Sequence, residues 1–331
     1  MNILQIKAKM LARAYISLDA DLKLNVFNST GNLHRNQWIF LKLNNTTRVR
    51  LTVKENADLI LCKNEKAQLF VYDKKESNVL VTNICIEKPM AHAPEQMFFT
   101  LYRNCFRGCL FCPLTYKNEI NHNSLEKILH RIENCPLPRS ISITTSNPSN
   151  LTVDDLTSEL CYFVTNIKEY VKHEIPIGIS LNSPSKINLI DLKNSGVSEM
   201  RLNLEVANSQ MAQKLMPQKP YYDVVESIKY ACDIFGKGKV SSNIIIGLGE
   251  SEDEILNTVD MLAEIGAVAT LYPFEPIENI ETPFIRPSED LLYRLAIEHK
   301  KILESHNLDP MGLETMCCSC TASHIYPGRD L

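Results

Sequence analysis

Three thiols, Cys105, Cys109 and Cys112, fall inside the stretch Cys105-Phe-Arg-Gly-Cys-Leu-Phe-Cys112, at a C-x3-C-x2-C spacing. Thiolates are the usual protein ligands of iron–sulfur clusters, and a complete four-iron cluster takes four of them. Three close ligands leave one iron open to something that is not protein, and an open position is what separates a reaction centre from a structural staple. The competing explanations are a zinc knuckle, or buried cysteines that happen to line up. A closed zinc site wants a fourth nearby Cys or His, and the nearest His downstream is His122, ten residues on.

A second group of thiols lies near the other end, in Met316-Cys317-Cys318-Ser319-Cys320, with His324 four residues further on. A hydrophobic core does not ordinarily concentrate cysteine this way. A second iron–sulfur cluster, a zinc site using His324, and thiols for redox or packing are all open. Adjacent Cys317 and Cys318 point in different directions, so one of them can ligate together with Cys320. A fourth ligand would then be His324, Cys62, Cys85 or the substrate.

The elements that position these residues divide the chain into 1–94, 95–308 and 309–331. In the front piece, Leu4 to Ala14 reads as a helix. The runs from Trp38, Arg48, Asp58, Gln68 and Val79 read as strands parted by polar turns, predicting a small antiparallel sheet. Cys62 and Cys85 sit in two of these strands and read as buried small hydrophobes, and the only tryptophan, Trp38, reads as core.

Pro94 marks a boundary. Beyond it strand and helix patterns alternate, which argues for parallel βα units. The predicted strands start at Met97, Ser140, Pro176, Met200, Val240 and Ala267. The predicted helices run Ser124–Asn134, Thr152–Lys172, Lys186–Asn194, Tyr222–Phe235, Ser251–Ile265 and Ser288–His306. Two open on capping boxes, Thr152 with Asp155 and Ser251 with Glu254. Six units make an open, partial barrel, and ligands of parallel βα folds gather at the C-terminal strand ends.

Polar and glycine-containing segments fall at those ends. Thr145, Ser146 and Asn147 follow the second strand, either lining a site or turning into the next helix. Asn203 and Glu205 share parity on the fourth strand and so share a face. Inward polar groups are costly unless paired, which favours a ligand, with a satisfied interior pair as the alternative. Arg201 shares that face and could bind a carboxylate or pair with Glu205. Gly247 and Gly249 end the fifth strand, where the missing Cβ lets a flat group approach the backbone.

Composition narrows the function. The 331 residues have an ordinary apolar fraction of 44% and a net charge of −4. That argues against a general nucleic-acid or membrane-surface binder, which needs a basic face. No run of apolar residues is long enough to span a bilayer, and the start lacks a signal-peptide layout. A reducing, cytoplasmic setting follows, in which many cysteines read as ligands or buried thiols and not as disulfides.

At Cys105, Cys109 and Cys112, with Phe111 as the aromatic residue before the third cysteine, the sequence resembles the radical S-adenosylmethionine (radical SAM) superfamily. The resemblance implies a 4Fe-4S cluster on these cysteines, with S-adenosylmethionine chelating the open iron. An electron from the cluster would split the sulfonium to give a 5′-deoxyadenosyl radical that abstracts a substrate hydrogen. It also implies an α/β fold, a partial (β/α)6 radical SAM barrel, here with a small β-rich N-terminal domain and a Cys-rich C-terminal tail. Thr145, Ser146 and Asn147 stand where the family usually has a Gly-Gly-Glu-like segment meeting the cofactor's amino group, a departure.

Asn203-Leu204-Glu205 is similar to the Asn-Leu-acid triplet of biotin synthase, implied to meet the ribose. Gly247-Leu-Gly249-Glu-Ser resembles its Gly-Leu-Gly-Glu-Thr, implied to lie along the adenine. Pro273-Phe-Glu-Pro276 and Glu281-Thr282-Pro283 resemble the proline-rich exit and Gly-Thr-Pro of the same relatives, with Glu281 in place of Gly.

Over residues 95–308 the resemblance is closest to the biotin synthase and lipoyl synthase branch, where an auxiliary cluster is the sulfur source. The thiol-rich tail then implies sulfur insertion in cofactor biosynthesis, a transferase reaction with Cys317, Cys318 and Cys320 as metal ligands. The alternatives are a radical rearrangement, cleavage or methylation, or a non-catalytic zinc-binding module. The implied partners are S-adenosylmethionine, a small-molecule or protein-bound substrate, an electron donor such as ferredoxin or flavodoxin, and conceivably a partner subunit. Neither nucleic acid nor membrane is among them.

Overall fold

A computed structural model describes residues 1–22, 27–28, 37–90, 92–116, 122–277 and 280–331. The chain opens with helix α1 (Ile3–Arg13), started by a reciprocal capping box between Asn2 and Gln5. Seven strands follow: β1 (Tyr15–Leu18), β2 (Phe27–Asn28), β3 (Gln37–Lys42), β4 (Arg48–Val53), β5 (Leu59–Lys63), β6 (Leu69–Asp73) and β7 (Asn78–Glu87). Their order is β2-β3-β4-β1-β5-β6-β7, and β3 also pairs with β7, so six of the strands close into a small barrel.

The antiparallel sheet predicted for this region is corrected here. β1 runs parallel to both β4 and β5, so the barrel is mixed. Its core joins α1 residues Leu4, Met10 and Leu11 to Ile39, Leu41, Leu51, Leu59 and Leu61. Trp38 is buried as predicted, Cys62 is half-buried, and Cys85 is exposed where a buried thiol was expected.

The second sheet begins with β8 (His92–Ala93), an antiparallel hairpin onto β9 (Gln96–Thr100). Helix α2 (Leu125–Glu133) leads to β10 (Ser140–Thr144), α3 (Val153–Val171) to β11 (Ile177–Ser180) and α4 (Lys186–Ser195) to β12 (Glu199–Arg201). A short helix α5 (Ser209–Leu215) precedes α6 (Tyr221–Phe235). Then come β13 (Val240–Ile246), α7 (Glu252–Ile265), β14 (Val268–Pro273) and α8 (Glu289–Ser305). Strands β9 to β14 are all parallel and lie in chain order, which gives the curled half-barrel of six βα units. Among the described residues no helix is long and apolar enough to cross a membrane.

The strand sequences explain the layering. In β10, Ile141 and Ile143 join the apolar layer shared with the helices, while Ser140 and Ser142 lie on the other face, where both are also fully buried. A polar, small-residue inner face needs hydrogen-bond partners, and the C-terminal tail supplies them. Its helix α9 (Met316–Cys320) packs on β9 and β10. Ser142 Oγ accepts from the Met316 N–H at 2.7 Å, and Gln96 Nε2 donates to the Met316 carbonyl at 2.9 Å. The Ser140 and Ser319 hydroxyls lie 3.3 Å apart.

Gly178 allows the closest approach, because a Cβ there would overlap the Thr315 side chain. These partners sit at or near the N-terminal ends of their strands, so the tail closes the floor of the half-barrel from below. It also ties the floor to the front barrel, through Arg50 N–H to the Ala322 carbonyl at 2.8 Å and a fully buried Lys7–Asp330 ion pair at 2.6 Å.

Candidate active-site cavity

The three-cysteine loop leaves the C-terminal end of β9 and is pinned on two sides. The Phe106 N–H donates to the Asn147 carbonyl at 3.0 Å, and the Leu110 N–H to the Leu215 carbonyl at the end of α5 at 2.9 Å. Between them Gly108 has φ +65°, a left-handed turn that glycine takes without Cβ strain. Phe111 is buried against Val206, Met216, Leu248 and Phe274, with Cys109 and Cys112 packed on the same cluster.

All three thiols border a cavity of about 410 Å³ that runs through the inside of the half-barrel. Burial pushes the Cys109 thiol up to about 11, although Lys219 beside it works in the opposite direction. Burial likewise pushes Cys112 up to about 12, and the charges that Cys105 and Cys109 would carry add to the rise. Without a metal, burial opposes the ionisation of Cys109 and Cys112.

Cation binding removes that opposition, since thiolate ligation releases the protons. Three soft donors of one kind, a neighbouring lysine and an apolar backing suit an iron–sulfur cluster with one open corner. Among the described residues no three His, Cys, Asp or Glu side chains are already drawn together tightly enough to grip a metal ion.

The other predicted positions divide. Thr145 and Ser146 border the cavity, with Ser146 Oγ donating to the Tyr102 and Asn104 carbonyls at 2.9 and 2.7 Å. Asn147 stays behind the wall, bonded to Asn182. Asn203 and Glu205 both face the cavity. Arg201 does so too, but it bonds Asn203 and Asn243 and forms no ion pair with Glu205. Gly247 and Gly249 do not border the cavity. At Gly247, φ is +109° and a Cβ would strike the Ile285 carbonyl, so that glycine admits the protein's own backbone; Gly249 meets nothing.

The floor of the cavity belongs to the tail. Cys317 and Cys320 open into it, whereas Cys318 turns into a cluster with Leu303, Leu313 and Tyr326. Arg201 Nη1 donates to Cys317 Sγ at 2.9 Å. His324 stacks under Tyr272 with ring centroids 4.8 Å apart, and neither of its nitrogens has a hydrogen-bond partner among the described residues. Burial, with Lys7 and Arg201 adding to it, holds that ring neutral. Cys62 and Cys85 lie outside the cavity lining.

Sequence reasoning missed Lys219, Tyr272, Gln96, Arg50 and His92 as cavity residues. Gln96 alone left a trace, an amide at the head of an otherwise apolar strand.

Residues 99–262 match the sequence model described as the Radical SAM superfamily. Among solved structures, methylornithine synthase (PylB) superposes with a TM-score of 0.51 at 18% identity, covering 62% of each chain. The FeFe-hydrogenase maturase HydG from Carboxydothermus hydrogenoformans superposes with a TM-score of 0.54 at 15% identity, covering 64% of this chain and 52% of its own. The aligned part thus spans less than two thirds of either relative, and at such identities the likeness concerns the fold. No curated protein matches the chain.

Proposed function

Since the chain carries a radical SAM superfamily domain over residues 99–262, we propose that it is a C–H-activating enzyme whose substrate lies in the barrel beneath the three-cysteine loop. One observation carries this: Cys105, Cys109 and Cys112 above and the tail residues Cys317 and Cys320 below border the same cavity. Cys105, Cys109 and Cys112 would hold the 4Fe-4S cluster. When bound, the cluster supplies the electron that cleaves S-adenosylmethionine to a 5′-deoxyadenosyl radical.

The protein's own residues prepare that site. Lys219, whose Nζ donates to the Asn203 carbonyl at 2.6 Å, sets a fixed positive charge beside Cys109. Asn203, Glu205, Thr145 and Ser146 offer the polar wall that the ribose and amino group of S-adenosylmethionine need. Phe111 and its apolar neighbours back Cys109 and Cys112. The tail closes the other end, so a radical formed inside meets substrate before solvent. A ferredoxin- or flavodoxin-like donor would supply the electron. The test is electron paramagnetic resonance of the anaerobically reconstituted, reduced protein. The account predicts a cluster signal that changes on adding S-adenosylmethionine and is lost in Cys109→Ser; a signal indifferent to S-adenosylmethionine would overturn it.

A second proposal adds sulfur insertion in cofactor biosynthesis, fed from an auxiliary cluster on the tail. The two floor thiols, Cys317 and Cys320, favour it. Against it, Cys318 turns away into an apolar cluster, which leaves two thiols of the three facing the cavity. About eight irons per chain, falling to about four in a Cys317→Ser/Cys320→Ser variant, would mark this reaction; about four in both would leave the first proposal standing. The match of residues 99–262 to the radical SAM superfamily favours an enzyme over a non-catalytic zinc module.

A further inference from the structure

Arg201 is a buried cation, 5% exposed, on the wall of a cavity. Its Nε donates to Asn203 Oδ1 at 3.0 Å and its Nη2 to Asn243 Oδ1. Both acceptors are neutral amides. They lock one edge of the guanidinium plane and leave Nη1 directed at Cys317 Sγ, 2.9 Å away. Among the described residues no carboxylate lies within ion-pair distance of Arg201. A desolvated guanidinium without an anion is costly and calls for one.

The surroundings answer it with no carboxylate, only with the Cys317 sulfur, and they supply a second donor. The Tyr272 ring lies 5.6 Å from the guanidinium carbon, and its buried hydroxyl has the Cys317 sulfur beside it. His324, beneath Tyr272, is neutral and adds no charge. Of the other cations on the wall, Arg50 already meets Glu275 at 3.2 Å and lies 3.8 Å over the Trp38 ring, and Lys219 donates to the Asn203 carbonyl at 2.6 Å beside the three-cysteine loop.

We propose that the floor of the cavity is a subsite for a carboxylate group of the substrate, with Arg201 as its anchoring residue and Tyr272 as a second donor. One rigid cation whose Nη1 meets only a thiol suits a planar monoanion, which would take its hydrogen bonds from Nη1 and the Tyr272 hydroxyl in place of the Cys317 sulfur. A dianion such as a phosphate monoester would ask for a second free cation. Seated there, the substrate has its carboxylate end down and the rest of its length directed up toward Cys105, Cys109 and Cys112. Only that assignment of the reacting end rests on the function proposed above; the anion subsite does not need the cluster.

Cys317 is a built-in reporter, because it touches Arg201. The full-length, anaerobically reconstituted protein is treated with iodoacetate or iodoacetamide, and labelled peptides are quantified by mass spectrometry, with exposed Cys85 as the internal reference. The subsite predicts saturable labelling of Cys317 by iodoacetate, favoured over iodoacetamide by roughly tenfold relative to Cys85. Butyrate should compete. The preference should vanish in Arg201→Gln and survive in part in Arg201→Lys. Butyrate should also raise the melting temperature of the wild type and not that of Arg201→Gln, which separates loss of binding from loss of folding.

The same preference at Cys317 and Cys85, a preference that survives Arg201→Gln, or failure of either reagent to reach Cys317 would each overturn the proposal. Release of 5′-deoxyadenosine from the same preparation reports the radical chemistry separately. A carboxylate preference without that release would keep the subsite and remove the reaction.

Discussion

Thr315 is fastened to Glu199 twice, its N–H donating to the carboxylate at 2.9 Å and its hydroxyl at 2.7 Å. The Glu314 N–H adds a third donor, and Lys239 approaches the same carboxylate at 3.4 Å. Glu199 is the first residue of β12 and is almost wholly buried. This is the bolt that holds the tail in the floor. Charge-assisted hydrogen bonds are worth about 1.5–3 kcal/mol each. Glu199→Ala is expected to destabilise the protein by about 3 kcal/mol and to make the bonds around residues 313–321 cleavable in limited proteolysis. A tail that stays protected in that variant would show that it is held by other contacts.

The Lys7–Asp330 pair ties the first helix to the end of the chain. Lys7 Nζ also donates to the Thr321 carbonyl at 2.7 Å, and Asp330 accepts the Tyr326 N–H at 2.8 Å. Removing one member of a buried pair leaves the other charge unanswered, at a cost of about 3–5 kcal/mol. Lys7→Met should therefore cost more than the double variant Lys7→Met/Asp330→Leu. Denaturant unfolding of Lys7→Met, Asp330→Leu and the double variant measures this, and losses that simply add in the double variant would mean that the charges do not interact.

Cys318 is a packing residue. It lies in an apolar cluster, and burial pushes its thiol up to about 12. Cys318→Ala is expected to cost about 1 kcal/mol, near the value of a small deleted group. Iron content should be unchanged. A drop in iron in this variant would make Cys318 a ligand.

Much of this arrangement was legible in the sequence, for identifiable reasons. Alternation and caps are local, so the strand expected from Val240 starts there as β13, and the Thr152–Asp155 and Ser251–Glu254 boxes both form. The fourth strand, expected to start at Met200 and to carry Asn203 and Glu205, stops at Arg201 in β12. Beyond it Asn203 Oδ1 takes the Asn243 N–H, and Glu205 adopts φ +71°, so the ladder is interrupted by polar side chains.

The parallel pairing of β1 with β4 and β5 leaves no local mark, and neither does the seat of the tail. Both depend on contacts between distant segments. A trace was present in the inner faces. Gln96, Ser140, Ser142 and Gly178 are too small or too polar for an apolar interior, and they fit a segment of chain that brings its own polar groups.

Acid should loosen the fold. Burial lowers the His299 imidazole to about 4, and burial together with Arg50 and Arg103 lowers His92 to about 3. An unfolded histidine takes up its proton near pH 6.5. Between that value and about pH 4 the unfolded state binds more protons than the native one, so stability falls as pH drops through this window. Each such histidine contributes a slope of up to about 1.4 kcal/mol per pH unit. Urea unfolding at pH 7.5 and pH 5.0 should show the loss, and His299→Leu should reduce it; a loss of the same size in His299→Leu would place its origin elsewhere.

The central claim is radical generation at the upper end of a cavity whose floor serves the substrate. Its most direct measurement is 5′-deoxyadenosine released when the anaerobically reconstituted protein, carrying about four irons per chain, is mixed with S-adenosylmethionine and a strong reductant. The account predicts release from the wild type and none from Cys109→Ser. A wild-type protein with its iron in place that releases no 5′-deoxyadenosine would contradict it.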